Sequence, residues 1–265
     1  MRRAFLAIAV VGTLSGCALM NSFSAMIDPP VLRVASYNIR HGRGMDDRVA
    51  LERTATAIRM LDADIVALQE VDRRVNRSGG VDQADMLAGL LGTDHEFGAF
   101  FDYDGGQYGM AILSRHRIVG VQRVRLPAGE EPRIALSVSV ELPGNDTVTV
   151  VNVHFDWIGN DAARYQQARE VAAHVDTLTY PWLLVGDFND QPGSRTLRLF
   201  DNRAVRAAPP VDSAATFPSR NPDREIDHVY ASSRAAWEIR GVEVVVDSVT
   251  SDHRPVVATV RRRVI

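Results

Sequence analysis

The side chains with chemistry to offer recur at one kind of place along this chain. Asn38 closes a first apolar run in Ser36-Tyr37-Asn38-Ile39, and Gln69 and Glu70 follow Ile65 to Leu68. Asn152 and His154 sit at the end of Thr147 to Val153, and Gly186-Asp187-Phe188-Asn189 follows Trp182 to Val185. Asp227 interrupts Ile226 to Tyr230, and Ser251-Asp252-His253 comes just before Val256 to Val260. Loops at the ends of buried strands are where a rigid scaffold gathers a site. The residue types suit phosphoryl transfer at a hard metal ion. Mg²⁺ keeps several waters and needs one or two carboxylates with an amide oxygen. A phosphodiester needs an activated water, charge stabilisation on its oxygens and help for the leaving oxygen. An Asp beside a His fixes its tautomer and raises its basicity. A buried cluster of Glu70, Asp187 and Asp252 would be costly without a cation.

Other chemistries are excluded by what is missing. All 30 basic residues are Arg, so no lysine is available for a Schiff base or a phosphate-binding loop. The single Cys rules out an internal disulfide and a cysteine zinc cluster. Neither a nucleophile-elbow serine nor an HExxH pair is present.

The elements that must position these groups are legible from hydrophobic periodicity. Val31 to Ile39, Ile65 to Leu68, Met110 to Ser114, Ile118 to Val124 and Trp182 to Val185 read as strands, as do Ile226 to Tyr230, Val242 to Val246 and Val256 to Val260. Ile134 to Val140 alternates cleanly, and Pro143-Gly144-Asn145-Asp146 turns it back onto Thr147 to Val153. Val49 to Leu61, Asp82 to Leu91 and Ala162 to Leu178 carry helical spacing. Phe100-Phe101-Asp102-Tyr103 reads as a short aromatic loop, and Arg261 to Arg263 as a solvated tail. His95, His116 and His174 read as surface or packing residues. Arg40, His41 and Arg43 occupy a Gly-flanked loop that suits a pocket mouth and a solvated surface equally. Many strands with interspersed helices, 46% hydrophobic and 24% charged residues, describe a layered α/β domain.

The first thirty residues read differently. Arg2 and Arg3 precede the apolar stretch Ala4 to Leu14, which is too short for a comfortable membrane span. Leu14-Ser15-Gly16-Cys17 closely resembles a bacterial lipobox. That resemblance implies a signal peptide over residues 1–16, acylation of Cys17, and a tether over 17–30. It predicts export and a lipid anchor in the cell envelope, with Ala18 favouring the outer membrane. Loss of Arg2 and Arg3 leaves 28 basic against 33 acidic residues, which argues against indiscriminate binding of polyanions.

Seven motifs then fall in a familiar order: Tyr37-Asn38-Ile39-Arg40-His41-Gly42, Leu68-Gln69-Glu70, Tyr108-Gly109 with Ile112-Leu113-Ser114, Asn152-Val153-His154, Gly186-Asp187-Phe188-Asn189, Ile226-Asp227 and Ser251-Asp252-His253. They resemble the endonuclease/exonuclease/phosphatase superfamily, the deoxyribonuclease-I-like proteins, over a domain of residues 31–265. The resemblance implies an α/β four-layer sandwich, two mostly antiparallel sheets packed face to face with helices outside, and a divalent metal, Mg²⁺ or Mn²⁺, at one edge. It implies Glu70 as principal metal ligand, with Asn38 and Asp252 beside it. His253, oriented by Asp227, would serve as base or phosphate-polarising acid, and Asp187 is the competing candidate for positioning the attacking water. Asn189 and His154 would hold phosphoryl oxygens, Tyr108 would sit near the phosphate, and Arg133 suits a phosphate contact and a surface ion pair equally. Many relatives carry a basic residue directly before the Ile-Asp step, where this chain has Glu225, with Arg224 one position earlier.

The resulting expectation is a monomeric, Mg²⁺-dependent phosphodiesterase acting by water attack. Its substrate could be nucleic acid, a phospholipid head group or a small phosphodiester. A phosphomonoesterase and a non-catalytic envelope lipoprotein that binds through the same scaffold are the alternatives.

Overall fold

The computed structural model describes residues 31–233 and 236–263. Cys17 and the signal-like segment lie outside those residues. In chain order the first half comprises β1 (Val31–Asn38), α1 (Leu51–Met60), β2 (Ile65–Arg73), α2 (Gln83–Leu91), β3 (Asp94–Tyr103) and β4 (Gly106–Ser114). The second half comprises β5 (Ile118–Arg125), β6 (Ile134–Leu142), β7 (Asp146–His154), α3 (Ala162–Val175), β8 (Trp182–Asp187), α4 (Arg195–Asp201), β9 (Val205–Arg206) and β10 (Asp227–Ala231). The last strands, β11 (Trp237–Val244) and β12 (Val256–Arg262), return to the first sheet.

Two six-stranded sheets result, ordered β11-β12-β1-β2-β4-β3 and β5-β6-β7-β8-β10-β9. Pairing is antiparallel except for β1 with β2 and β7 with β8, each pair joined through a helix. Strand alternation explains the four layers. Leu32 and Val34 of β1, Val148 and Val150 of β7, and Val256, Ala258 and Val260 of β12 share the core between the sheets. Ala35 and Tyr37 face the other way, packing with Leu51, Ala55 and Ile58 of α1 and Leu87 of α2. Val151 and Val153 likewise pack with Ala168 and Val171 of α3 and Leu197 and Phe200 of α4. Among the described residues, no helix is long and apolar enough to cross a membrane.

Two readings of the sequence need correction. Phe100 to Tyr103 is not a loop but the end of β3, and Phe100 is buried in the inter-sheet core. Gly98, three polar residues at the start and a bulge between Ala99 and Phe101 interrupt the period-two signal there. Arg261 and Arg262 belong to β12 rather than to a solvated tail: Arg262 pairs with Trp237 in register, lies over its ring and reaches Asp146 at 2.9 Å.

Candidate active site

The site is the polar end of the inter-sheet core. Along β1 the inward stripe runs Leu32, Val34, Ser36, Asn38; along β7 it runs Val148, Val150, Asn152, His154; along β8 it runs Leu183, Val185, Asp187. Each stripe turns from apolar to polar as its strand ends. Beneath the site the sheets are bridged by a hydrogen bond from Gln69 Nε2 to Asn152 Oδ1 at 2.7 Å, and Asn152 Nδ2 donates to the carbonyls of Leu68 and Ala111. Gln69 and Asn152 are therefore floor beams, not site residues.

Glu70 reaches the site through a backbone irregularity. The β2–β4 register shifts between Gln69 and Val71, and Glu70 takes φ +57°. A bulge re-aims a side chain that simple alternation would send to the opposite face from Gln69. Gly186 serves β8 similarly: at φ +147°, a Cβ there would lie 2.0 Å from the Val153 carbonyl oxygen. That close approach sets His154 level with Asp187 across the parallel pair.

Asp187 Oδ2 is the point of convergence. Asn38 Nδ2 donates to it at 3.2 Å and to Glu70 Oε1 at 2.9 Å. His154 Nε2 lies 3.6 Å from the same oxygen and His253 Nε2 3.7 Å from it. His253 Nδ1 donates to Asp227 Oδ2 at 2.9 Å, leaving Nε2 turned toward Asp187. Asn189, itself at φ +50°, donates its backbone N–H to Asp187 Oδ1 at 2.9 Å and its amide to the Phe155 carbonyl at 3.0 Å. Ser251 Oγ donates to the Asn38 carbonyl at 2.7 Å, tying the segment that carries Asp252 and His253 to the end of β1.

Arg133 is neither a surface ion pair nor a solvent-facing cation. It is 3% exposed, pairs with Glu131 at 2.9 Å, and lies over the Phe100 ring. Its Nη1 is 3.3 Å from His154 Nδ1. Arginine only donates, so His154 Nδ1 accepts and its proton resides on Nε2, facing the pocket. Burial and then the Arg133 charge hold His154 well below the ordinary histidine range, hence neutral. His253 is the opposite case: burial alone would depress it, but the carboxylates of Asp227 and Asp187 raise it to about 10. Burial, then the charge of Asp227, pushes Asp187 up to about 7. Burial raises Tyr108 well above its usual range, with Glu70 adding to the effect.

The pocket so formed has a volume of about 410 Å³, and Glu70, Tyr108, Arg133, His154, Asp187, Asn189, Asp252 and His253 all line it. Asn38 and Asp227 join through the hydrogen bonds just given. A larger hollow of about 710 Å³ flanks the β3–β4 hairpin beside Arg73, Arg74 and Asp104, away from this set. Arg40 closes on Asp252 at 3.6 Å, whereas Arg43 pairs with Asp47 on the surface. Arg224 lies over the Phe217 ring at the pocket, and Glu225 pairs instead with Arg206.

The acidic groups fit a cation. Asp187, Asp227 and His253 bring ligand atoms within 4.8 Å of one another. In that group Asp227 is already committed to His253. Glu70 is different: its hydrogen-bond partner is a neutral amide, and burial followed by the charge of Asp252 raises its carboxyl. Glu70 and Asp252 give two half-buried carboxylates of the kind a hard divalent ion takes. Asn38 turns its amide nitrogen to Glu70 and its Oδ1 accepts the Arg40 N–H at 3.1 Å, so an amide flip would be needed for it to add a carboxamide oxygen.

Sequence reasoning missed Trp157, Glu131 and Phe217, which complete the pocket wall. It also missed Arg164 of α3, whose Nη1 donates to the carbonyls of Asp156 and Ile158 at 3.0 Å and whose Nε reaches Asp190 at 3.1 Å. A polar residue on a helix gives no sign in sequence that it clamps two loops.

The uncharacterized protein YbhP of Escherichia coli K12 is 28% identical over 245 residues, spanning 86% of this chain and 95% of its own. An endonuclease/exonuclease/phosphatase from Beutenbergia cavernae superposes with a TM-score of 0.76 at 28% identity, over 88% of this chain and 72% of that one. The mannosyl-6-phosphatase Bt3783 of Bacteroides thetaiotaomicron shares the fold, with a TM-score of 0.70 at 21% identity over 86% and 99% of the two chains. The profile of the Endonuclease/Exonuclease/phosphatase family matches residues 35–253. The chain belongs to that family, whose members are phosphoric ester hydrolases and generally depend on a divalent metal.

Proposed function

We propose that this chain is a Mg²⁺-dependent hydrolase of small phosphate esters, phosphodiesters first, acting by direct water attack. The observation that carries the reading is the Asp227–His253 pair facing Asp187, with the Glu70–Asn38 pair on the same wall. The residues that would hold the cation are Glu70, Asn38 and Asp252. When bound, the cation supplies charge neutralisation on the phosphoryl oxygens.

The chain's own groups supply the rest. His253 keeps its Nδ1–H on Asp227 and offers Nε2–H to a phosphoryl oxygen as charge develops there. His154, fixed by Arg133 with its proton on Nε2, offers a second, neutral donor. Asp187, oriented by Asn38 and by the Asn189 N–H, takes a proton from the attacking water. The new P–O bond forms in line as the ester P–O bond breaks; the departing alkoxide takes a proton from solvent water, and Asp187 returns to solvent the proton it took. A pocket of about 410 Å³ and a formal net charge of −3 suit a small ester better than a nucleic-acid duplex.

The test offers residues 31–265 bis(p-nitrophenyl) phosphate and p-nitrophenyl phosphate with Mg²⁺ and with EDTA, alongside supercoiled plasmid and phospholipid vesicles. Metal-dependent release from the diester is expected. Replacement of His253, Asp187 or Glu70 by Ala should lower it about 10²–10⁴-fold, with far-UV circular dichroism unchanged. Release from the monoester alone would make the protein a phosphomonoesterase, and nicking or head-group release would move the substrate class accordingly. No turnover of any substrate by folded protein overturns the reading.

A further inference from the structure

We infer that Trp157 is a specificity-determining residue, stacking on the flat face of a ring-bearing alcohol, a sugar or a nucleoside, esterified to the phosphate. The inference rests on the function proposed above and extends it to the substrate class. Trp157 lies in the loop after β7, one turn of chain beyond His154, and lines the pocket while 59% exposed. The other two tryptophans, Trp182 and Trp237, are 7% and 3% exposed. A large ring left mostly in solvent beside a polar pocket gains little from folding, whereas Trp side chains are on average well buried.

The loop that presents it is held on every side. Asp156 is 1% exposed: its Oδ2 accepts the Glu130 N–H at 2.6 Å, its Oδ1 accepts the Ile158 N–H at 3.1 Å, and its own N–H goes to Gln167 Oε1 at 2.8 Å. Arg164 adds two hydrogen bonds, to the carbonyls on either side of Trp157. The backbone is thus fixed at 156 and 158 while the indole between them is left free.

The remaining aromatic rings of the wall are already engaged. Phe217 packs against His253 at 4.8 Å between centroids and carries Arg224 at 4.5 Å. Tyr108 packs edge-on to Phe100 at 5.6 Å. Among the described residues Trp157 contacts no ring or guanidinium, and its indole N–H has no protein acceptor. Glu131, half-exposed on the same wall, retains carboxylate acceptor capacity beyond its pair with Arg133 for the hydroxyl edge of a ring. A free aromatic face beside a hydroxyl-accepting carboxylate selects a ligand with one flat face and one polar edge.

Two readouts test this. Because Trp157 is the one exposed tryptophan, the part of the emission lost in Trp157→Phe reports contact at its ring. Titration with glucose 6-phosphate and with thymidine 5′-monophosphate should quench and shift it, glycerol 3-phosphate should not, and Trp157→Phe should lose the response. Hydrolysis is then compared for three p-nitrophenyl phosphodiesters sharing a leaving group, with thymidine (5′), glucose (6-position) or ethanol as the second alcohol. The ratio of kcat/KM for a ring ester to that for the ethyl ester should fall about tenfold in Trp157→Ala, through KM, and be largely restored in Trp157→Phe. Which ring ester responds separates sugar from nucleoside. An unchanged ratio, or emission that responds equally to glycerol 3-phosphate, overturns the inference while hydrolysis stands. Ring-specific quenching without any turnover overturns the hydrolase reading and leaves the stacking role in place.

Discussion

Single residues in this protein owe their chemistry to neighbours that sequence order does not reveal. His154 and His253 have the same side chain, yet one is held neutral by burial and then by Arg133, and the other charged, against burial, by two carboxylates. The motifs around Asn38, Glu70, Asp187, Asp227 and His253 were readable because each chemical group stands next to an apolar run. The partnership of Arg133 with His154 was not readable, because 21 residues separate them and only strand packing brings them together. His228 shows what such surroundings do to stability. It is buried, donates its Nε2–H to the Asp190 carbonyl at 2.9 Å, and burial lowers it to about 4. As pH falls below about 6.5, the unfolded chain takes up a proton that the folded chain refuses, so stability is lost down to about pH 4. The contribution is on the order of 3 kcal/mol. Urea unfolding between pH 7 and 4 should show this loss, and His228→Gln should flatten it; identical slopes would refute the assignment.

Elements supply the placement, and here the sequence was legible in type more than in detail. The strands β1, β6, β7 and β12 could be seen because alternation and turn residues agree. The long β3–β4 hairpin was half seen, since bulges at both of its pairings break the period that marks a strand. The bulge at Glu70 has no signature in residue type, although it decides where the proposed metal ligand points. Gly186 is a further device of this kind. Gly186→Ala adds a Cβ at 2.0 Å from the Val153 carbonyl oxygen on a backbone with φ +147°. The substitution should cost about 2–4 kcal/mol and separate His154 from Asp187. Denaturant unfolding measures the first effect. Turnover lost beyond what the remaining folded fraction explains measures the second, and a variant as stable as the parent would contradict the close approach.

At the scale of the whole molecule, two sheets meet in an apolar core whose one end becomes polar, and cation binding there should be felt by the entire fold. Mg²⁺ is expected to stabilise the fold by about 2.7 kcal/mol at a hundred times Kd, and so to raise Tm, by relieving the charge of Glu70 against Asp252. Glu70→Gln should remove most of that rise, and a rise of equal size in the variant would place the ion elsewhere. The layered architecture followed from the alternation of elements and from the family resemblance. The strand order did not, because β11 and β12 rejoin the first sheet across the whole second half of the chain.

That return has a consequence for how the molecule can be held. Val31, 54% exposed, starts β1 opposite Arg261 of β12, while Asn38 at the other end of the same strand stands in the pocket. Eight residues of extended chain set the two about 23 Å apart. Attachment at Val31 is therefore attachment at the pole facing away from the chemistry. A reporter fused directly ahead of Val31, or an immobilising surface joined there, would leave the pocket open.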